Sequence, residues 1–260
     1  MGRICAYCSE NRKLTREHVW PNGIIQRVNY EARYSEQAGK FFGADQVISD
    51  VCEECNNGVL SNLDTYICSM FDHYFANFIQ KGEFVNFHYN YDLLARWLLK
   101  ISYNSSRSTG EDVNLLKNYV PYIMGKSECP DDTFSIRIEL VSPSVNNIDK
   151  NMKKLFPMSA RCCRIKFQGI QLNWCTIRLV SINSYYFWLI FTPEETKNQI
   201  VDDRELQLVA KNLPRLILEQ DHTDITLTAS NRNTLIMHQD WVANQRDKFE
   251  EYLHRGGRKK

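Results

Sequence analysis

Apolar residues recur along this chain with two different periods. From Asn57 onward, Leu60, Leu63, Ile67, Phe71, Phe75 and Phe78 return at spacings of three and four, which predicts a helix closed near Lys81-Gly82. A second helix fits residues 91–104, where Leu94, Trp97, Leu98 and Ile101 share a face, and the polar run 105–111, with Gly110, reads as a loop. Residues 133–141 instead alternate Phe134, Ile136, Ile138 and Leu140 with Ser135, Arg137 and Glu139, the pattern of a half-buried strand. Stretches 162–168, 170–182 and 185–191 are rich in β-branched and aromatic residues and are separated by the turn formers Gly169 and Asn183-Ser184, which predicts an antiparallel meander. Thr192-Pro193-Glu194-Glu195 is a helix-start box. A helix over 203–212, a strand over 224–229, a terminal helix over 240–254 and a basic tail from Arg255 to Lys260 complete the pattern.

The first part of the chain is less regular. Residues 14–20 fit a short strand before the turn Pro21-Asn22-Gly23, residues 24–46 read as loop or short helix, and 46–51 fit a strand leading into Cys52. A boundary near 82–90 predicts an α+β protein in two parts, residues 1–82 and a mixed helix and antiparallel-sheet part at 83–260. A unit of about 80 residues has a marginal hydrophobic core, so a structural staple is physically reasonable.

Composition narrows the class. The 260 residues are 43% hydrophobic and 24% charged, as expected of a globular chain, and the formal net charge of +1 means that any phosphate-binding surface must be a local patch. No apolar run reaches the ~18 residues of a membrane span. The start MGRICAYC has no apolar segment typical of a secretory leader, and position 6 is Ala rather than the Ser or Thr favoured for myristoylation. A cytoplasmic location with reduced thiols is therefore expected, and nine cysteines, an odd number, invite a metal rather than a disulfide framework.

Cys5-Ala6-Tyr7-Cys8 and Cys52-Glu53-Glu54-Cys55 are two C-x-x-C pairs 43 residues apart. Two such knuckles complete a tetrahedral four-thiolate site, the closed geometry of structural zinc. Zinc binding of this kind supplies roughly 10–16 kcal/mol of apparent free energy. A closed site has no open position, so Cys5, Cys8, Cys52 and Cys55 are read as structural ligands.

Between the pairs stands Arg16-Glu17-His18-Val19-Trp20-Pro21, and Asn56-Asn57 follows the last cysteine. An acid-His step with a nearby proline, then C-x-x-C-Asn opening a helix, all framed by an earlier C-x-x-C, resembles the zinc-containing HNH endonucleases of ββα-metal fold. CEECNNGVLSNLD, residues 52–64, is particularly similar, and the resemblance spans about residues 4–75. It implies metal-dependent phosphodiester hydrolysis, with DNA the usual target and RNA the other substrate of the same chemistry. It further implies His18 as general base, with Glu17 and Asn56 holding the catalytic cation. The chemistry suits the residue types. Imidazole, with an unperturbed pKa near 6.5, accepts a proton at neutral pH. Carboxylate and carboxamide oxygens suit Mg²⁺ or Mn²⁺. Adjacent strand residues point to opposite faces, so Glu17 and His18 share a site only if the strand distorts or ends there. A helix N-terminus at Asn56 would favour a phosphate, and Asn56 also fits a plain helix cap.

One departure from the family pattern concerns His18. The family's central Asn, which orients the base, is missing from Gln46-Val47-Ile48-Ser49-Asp50-Val51; Gln46 or a backbone carbonyl is the available substitute. Asp64 and His73 lie on the helix after Asn56, where a solvated face is their ordinary role. Cys162, Cys163 and Cys175 fall in apolar strand patterns, and Cys68 and Cys129 likewise read as buried thiols. No zinc-protease, deaminase or P-loop motif occurs. Such nuclease modules act in restriction, phage defence and mobile elements. The rival reading is a non-catalytic zinc module that binds nucleic acid or protein. A third gives residues 83–260 control of the module through substrate choice, homodimerisation or a regulatory protein partner.

Overall fold

Paired cysteines rather than apolar runs shape the start of the chain. The computed structural model describes residues 3–28, 33–35, 40–42, 46–130, 132–146, 154–156, 160–167, 170, 172–193, 203–237 and 254. Strands β1 (Arg3–Ile4) and β2 (Asn11–Arg12) pair antiparallel on either side of the first knuckle. Strand β3 (Leu14–His18) leads through α1 (Asn22–Val28) and the antiparallel pair β4 (Arg33–Ser35) and β5 (Lys40–Phe42) to β6 (Val47–Cys52). β3 and β6 pair antiparallel, with Leu14 opposite Cys52 and His18 opposite Val47. Helix α1 packs close to the helix that follows β6. A Cβ on Gly23 would lie 2.6 Å from Cys68 Sγ, so the residue there must lack one.

The second knuckle opens a helical segment directly. α2 (Glu53–Cys55) and α3 (Ser61–Met70) are joined by a wider π turn, Asn56–Leu60, and a second π turn, Phe71–Phe75, ends the segment. The helix expected to begin at Asn57 and close near Lys81-Gly82 therefore starts earlier, at Glu53, and ends earlier. Phe78 lies beyond it, in coil.

β7 (Phe84–His88), a segment not foreseen as a strand, precedes α4 (Tyr91–Thr109). Asn90 caps α4 by accepting the Leu93 N–H at 3.0 Å, and Gly110, at φ +83°, ends it in the left-handed region. The expected loop over 105–109 is helical instead. Its hydroxyls bond inside the helix: Ser106 Oγ donates to the Tyr103 carbonyl at 3.0 Å and Ser108 Oγ to that of Ser105 at 2.7 Å. Two short helices follow, α5 (Val113–Lys117) and α6 (Val120–Ile123).

The remaining strands are β8 (Phe134–Ser142), the paired β9 (Ser144–Asn146) and β10 (Lys154–Phe156), β11 (Arg161–Arg164), β12 (Thr176–Ile182), β13 (Tyr185–Phe191) and, after α7 (Asp203–Asn212), β14 (Asp224–Asn233); α8 (Thr234–Met237) is the last helix described. One sheet runs β11-β12-β13-β8-β14-β7. Its neighbours are antiparallel, as a meander requires, except β14, which lies parallel to β8. All seven residues of β13 are buried, because the sheet is covered on both faces. The second half of the helix-start box at 194–195, the helix expected over 240–254 apart from residue 254, and the basic tail lie outside the described residues.

A single apolar cluster contains Cys5, Val19, Trp20, Val51, Leu60 and Leu63 together with Trp97, Leu98, Phe187 and Leu227. The expected division at 82/83 therefore does not separate two cores. α4, placed by sequence in the second part, fills the interior of the first. Its Leu94, Trp97, Leu98 and Leu99 are fully buried, each contributing roughly 1.5–3 kcal/mol. The turn after α4 is tied to the sheet by Asp112, at φ +60°, whose carboxylate meets buried Arg178 at 2.8 Å and Arg164 at 2.7 Å. No described helix is long and apolar enough to cross a membrane.

Candidate metal centre and adjoining polar cluster

The two knuckles converge. The sulfurs of Cys5, Cys8, Cys52 and Cys55 all lie within 4.8 Å of one another, and Cys8 Sγ is 3.8 Å from Cys52 Sγ. Four sulfurs at about 2.3 Å from a central zinc would stand about 3.8 Å apart along each edge of the tetrahedron, so the cluster could hold such an ion. The register that achieves this is the pairing of β3 with β6, which brings Cys52 beside the first knuckle. The Cys52 N–H donates to Cys5 Sγ at 3.3 Å. Burial opposes ionisation of Cys5, yet the N–H groups of Cys8, Cys52 and Tyr7 outweigh it and bring its thiol down to about 7. Burial pushes the Cys8 and Cys55 thiols up, and for Cys55 the surrounding sulfurs push further in that direction. A cation among the sulfurs would favour the ionised form of all four. The cluster is the one group of three or more His, Cys, Asp and Glu side chains with metal-ligand proximity among the described residues.

Glu17, His18 and Asn56 all sit on or beside the β3–β6 pair; Glu17 and the His18 backbone share Asn104 as a partner, while Asn56 bonds back to β3. The pairing of β3 with β6 shifts between Thr15 and Glu17, so the irregularity falls at Arg16, while Glu17 opposite Ile48 and His18 opposite Val47 are consecutive regular pairs. Glu17 and His18 therefore keep the alternation of a strand. Glu17 is buried and His18 half-buried. Glu17 Oε1 lies 2.8 Å from Lys100 Nζ on α4, and that ammonium also meets Asp64 Oδ2 on α3 at 2.6 Å. Lys100 is 2% exposed, so its charge depends on these two carboxylates. Burial raises the pKa of Asp64, and the Lys100 charge and hydrogen bond pull it back only in part.

Asn56 is neither an N-cap nor at a helix N-terminus, because the helix opens three residues earlier, and its backbone N–H donates to the Glu53 carbonyl. It lies in the π turn, and its Nδ2 donates to Thr15 Oγ1 at 3.2 Å and to the Arg16 carbonyl at 3.3 Å. Both bonds use the amide nitrogen, so the carboxamide keeps its oxygen for a further partner. Asp64, read as a solvated helix residue, is instead drawn into the Lys100 pair. His73 is exposed and packs edge-on against Tyr74.

Besides Lys100, three residues of this arrangement were not anticipated: Asn104, Tyr7 and Arg107. Asn104, one turn after Lys100, donates to Glu17 Oε1 and to the His18 carbonyl, both at 3.4 Å, and accepts from Tyr7 Oη and from Arg107 at 2.6 Å each. Tyr7 stands inside the first knuckle, so the network links the cysteine cluster to the backbone of His18. Arg107 lies over the Tyr103 ring at 4.3 Å and pairs with Asp50 at 2.9 Å. The sequence did carry a signal: Lys100, Asn104 and Arg107 recur at spacings of four and three, which places them on one side of the helix. The exit from β3 is fixed by Trp20 against Trp97, ring centres 5.9 Å apart. Cys162, by contrast, lies away from the quartet, with its sulfur 3.9 Å from Ser102 Oγ and from Arg178. Compared with family models, with curated proteins and with solved structures, the chain matches none.

Proposed function

We propose that the chain is a metal-dependent endonuclease of the HNH type, stapled by zinc at Cys5, Cys8, Cys52 and Cys55, that hydrolyses phosphodiester bonds of DNA. The observation that carries this reading is the order and pairing of elements around the cysteine cluster. An antiparallel strand pair presents Glu17-His18 on one strand, and a helix starts directly from the second knuckle and carries Asn56 back onto the first strand. Glu17 and His18 are the last two residues of β3, so a site that takes in both would wrap the end of that strand, with Asn56 bonded to the same strand at Thr15 and Arg16.

In this reading His18 takes the proton from the attacking water. Its backbone is held by Asn104 of α4, which replaces the family's central Asn. Asn56 offers its carboxamide oxygen to Mg²⁺ or Mn²⁺. Glu17 is a carboxylate already bonded on Oε1, which leaves Oε2 as its oxygen for the cation. The charge balance supports the assignment. Glu17, Lys100 and Asp64 together carry one surplus negative charge when ionised, which favours a cation nearby. The ion supplies charge stabilisation at the phosphate; the chain's own groups orient it and move the proton.

The test is incubation of the zinc-loaded protein with duplex DNA and with RNA, with and without added Mg²⁺ or Mn²⁺. New ends that appear only with the divalent ion support the reading. A protein that binds these substrates and never cuts them would instead be a zinc-structured binding module.

A further inference from the structure

We infer that the cleft formed by β1, β2 and β3 is a binding track for a nucleic-acid phosphodiester backbone. This inference rests on the nuclease reading for its purpose but not for its physical basis. The cleft is a shallow, open groove of about 600 Å³, and its lining includes Arg3, Arg12, Lys13 and Arg16, with Asn11 and Ser49 as further hydrogen-bonding side chains and no acidic residue. Four cations in one cleft are unusual for a chain whose formal net charge is +1. All four are exposed. Glu54 reaches Arg12 from outside the lining, which offsets one of them.

The backbone register makes the concentration of charge more informative. Arg3 and Arg12 are directly opposite one another in the β1–β2 pair. Like charges in that position destabilise a strand pair, and this pair is only two residues long on each side. Glu54 already balances Arg12, so an anion lying across the pair would add the counter-charge that Arg3 lacks from that side. Arginine also suits phosphate, since its planar fork can donate two hydrogen bonds to one phosphate group. The cleft then runs into the candidate site. Thr15 lines it, and Thr15 Oγ1 accepts from Asn56 Nδ2. A polyanion seated along Arg3, Lys13 and Arg16 thus ends beside the proposed cation site. Contacts of this type carry charge without reading bases, so the track selects a backbone rather than a sequence.

The experiment measures binding of the full zinc-loaded chain to a fluorescent duplex DNA and to a fluorescent single-stranded RNA, without added Mg²⁺ or Mn²⁺, over a range of salt. Cleavage is assayed separately. Each duplex phosphate contact adds about −0.9 to the slope of log K against log salt. The double variant Arg3→Ala/Lys13→Ala should bind at least about ten-fold more weakly near 0.1 M salt, with a slope shallower by about two, at unchanged zinc content. Lys117→Ala/Lys126→Ala, outside the cleft, is the charge-matched control and should bind as the parent does. Loss with only one probe identifies that nucleic acid as the occupant. Equal losses in the two double variants, no loss in either, or a parent chain that binds neither probe overturns the inference. A parent that binds through the cleft yet never cuts sinks the nuclease reading and leaves the track standing. A parent that cuts while the cleft variant binds and cuts normally does the reverse.

Discussion

Lys100 Nζ lies 2.8 Å from the Glu17 carboxylate and joins the middle of α4 to the residue immediately before His18. The ammonium is almost fully buried, so it persists there because Glu17 and Asp64 together satisfy it. Breaking such a group by removing one partner is expected to cost about 3–5 kcal/mol, because it leaves charge buried without compensation. Lys100→Met should lose stability of that order. The pH dependence follows from Asp64. Its pKa is raised by burial and held down in part by Lys100, so removing Lys100 raises it further. An acid whose folded pKa exceeds its unfolded value binds its proton more tightly when folded, so its cost is full above the folded pKa and vanishes below the unfolded one. Denaturant unfolding should therefore show a larger loss for Lys100→Met at pH 8 than at pH 5. Equal losses at both would contradict the cluster as described.

The cysteine cluster predicts one zinc per chain by elemental analysis. Cys52→Ala should abolish it and expose the β3–β6 amides to hydrogen exchange, since Cys52 belongs both to the strand pair and to the sulfur cluster. Cys162→Ala should keep its zinc. Acidification should release the metal as protons compete for the sulfurs. Zinc retained by Cys52→Ala would count against the four-sulfur site.

Asn104 makes four polar contacts in a buried setting, and Tyr7 Oη depends on one of them. Asn104→Ala should cost about 1–3 kcal/mol by leaving polar groups unsatisfied, whereas Tyr7→Phe should cost about 1 kcal/mol because Arg107 still serves Asn104. Under the proposed chemistry Asn104→Ala also lowers kcat more than it changes KM, since the His18 backbone loses its donor. A variant that shifts only KM would argue for a purely structural Asn104.

Asp112→Asn tests the link between the helices and the sheet. The amide tolerates the left-handed backbone there, but buried Arg178 and half-buried Arg164 lose their counter-charge. A drop of about 3–5 kcal/mol in unfolding free energy is expected. A change below about 1 kcal/mol would show that Arg178 is solvated or otherwise balanced.

Local pattern was enough to read the elements whose partners are sequence-near or whose period is strong. The β3 and β6 strands, helix 203–212 and the helix through Leu94, Trp97 and Leu98 follow from spacing, and the sulfur cluster follows from two C-x-x-C knuckles. Tertiary contacts decided the rest. Ser105 to Thr109 reads as loop because its hydroxyls compete for backbone, yet those hydroxyls bond within the helix against the sheet. The parallel pairing of β14 with β8 depends on a distant strand and leaves no local mark. Glu17 beside His18 suggested one shared site. The structure instead puts the break in pairing at Arg16 and turns Glu17 toward Lys100, a residue 83 positions later. Residues on both sides of 82/83 share one apolar cluster, because α4 packs into the first part.

The most direct measurement is single-turnover cleavage by the full chain carrying His18→Ala, with zinc content and unfolding midpoint determined on the same preparation. General acid–base groups contribute about 10²–10⁴-fold, so the divalent-metal-dependent rate should fall at least about 100-fold while zinc and stability stay at parental values. A variant that cuts within a few-fold of the parent, or a parent that cuts neither DNA nor RNA with Mg²⁺ or Mn²⁺, would contradict the assignment of His18 as the base of a nuclease.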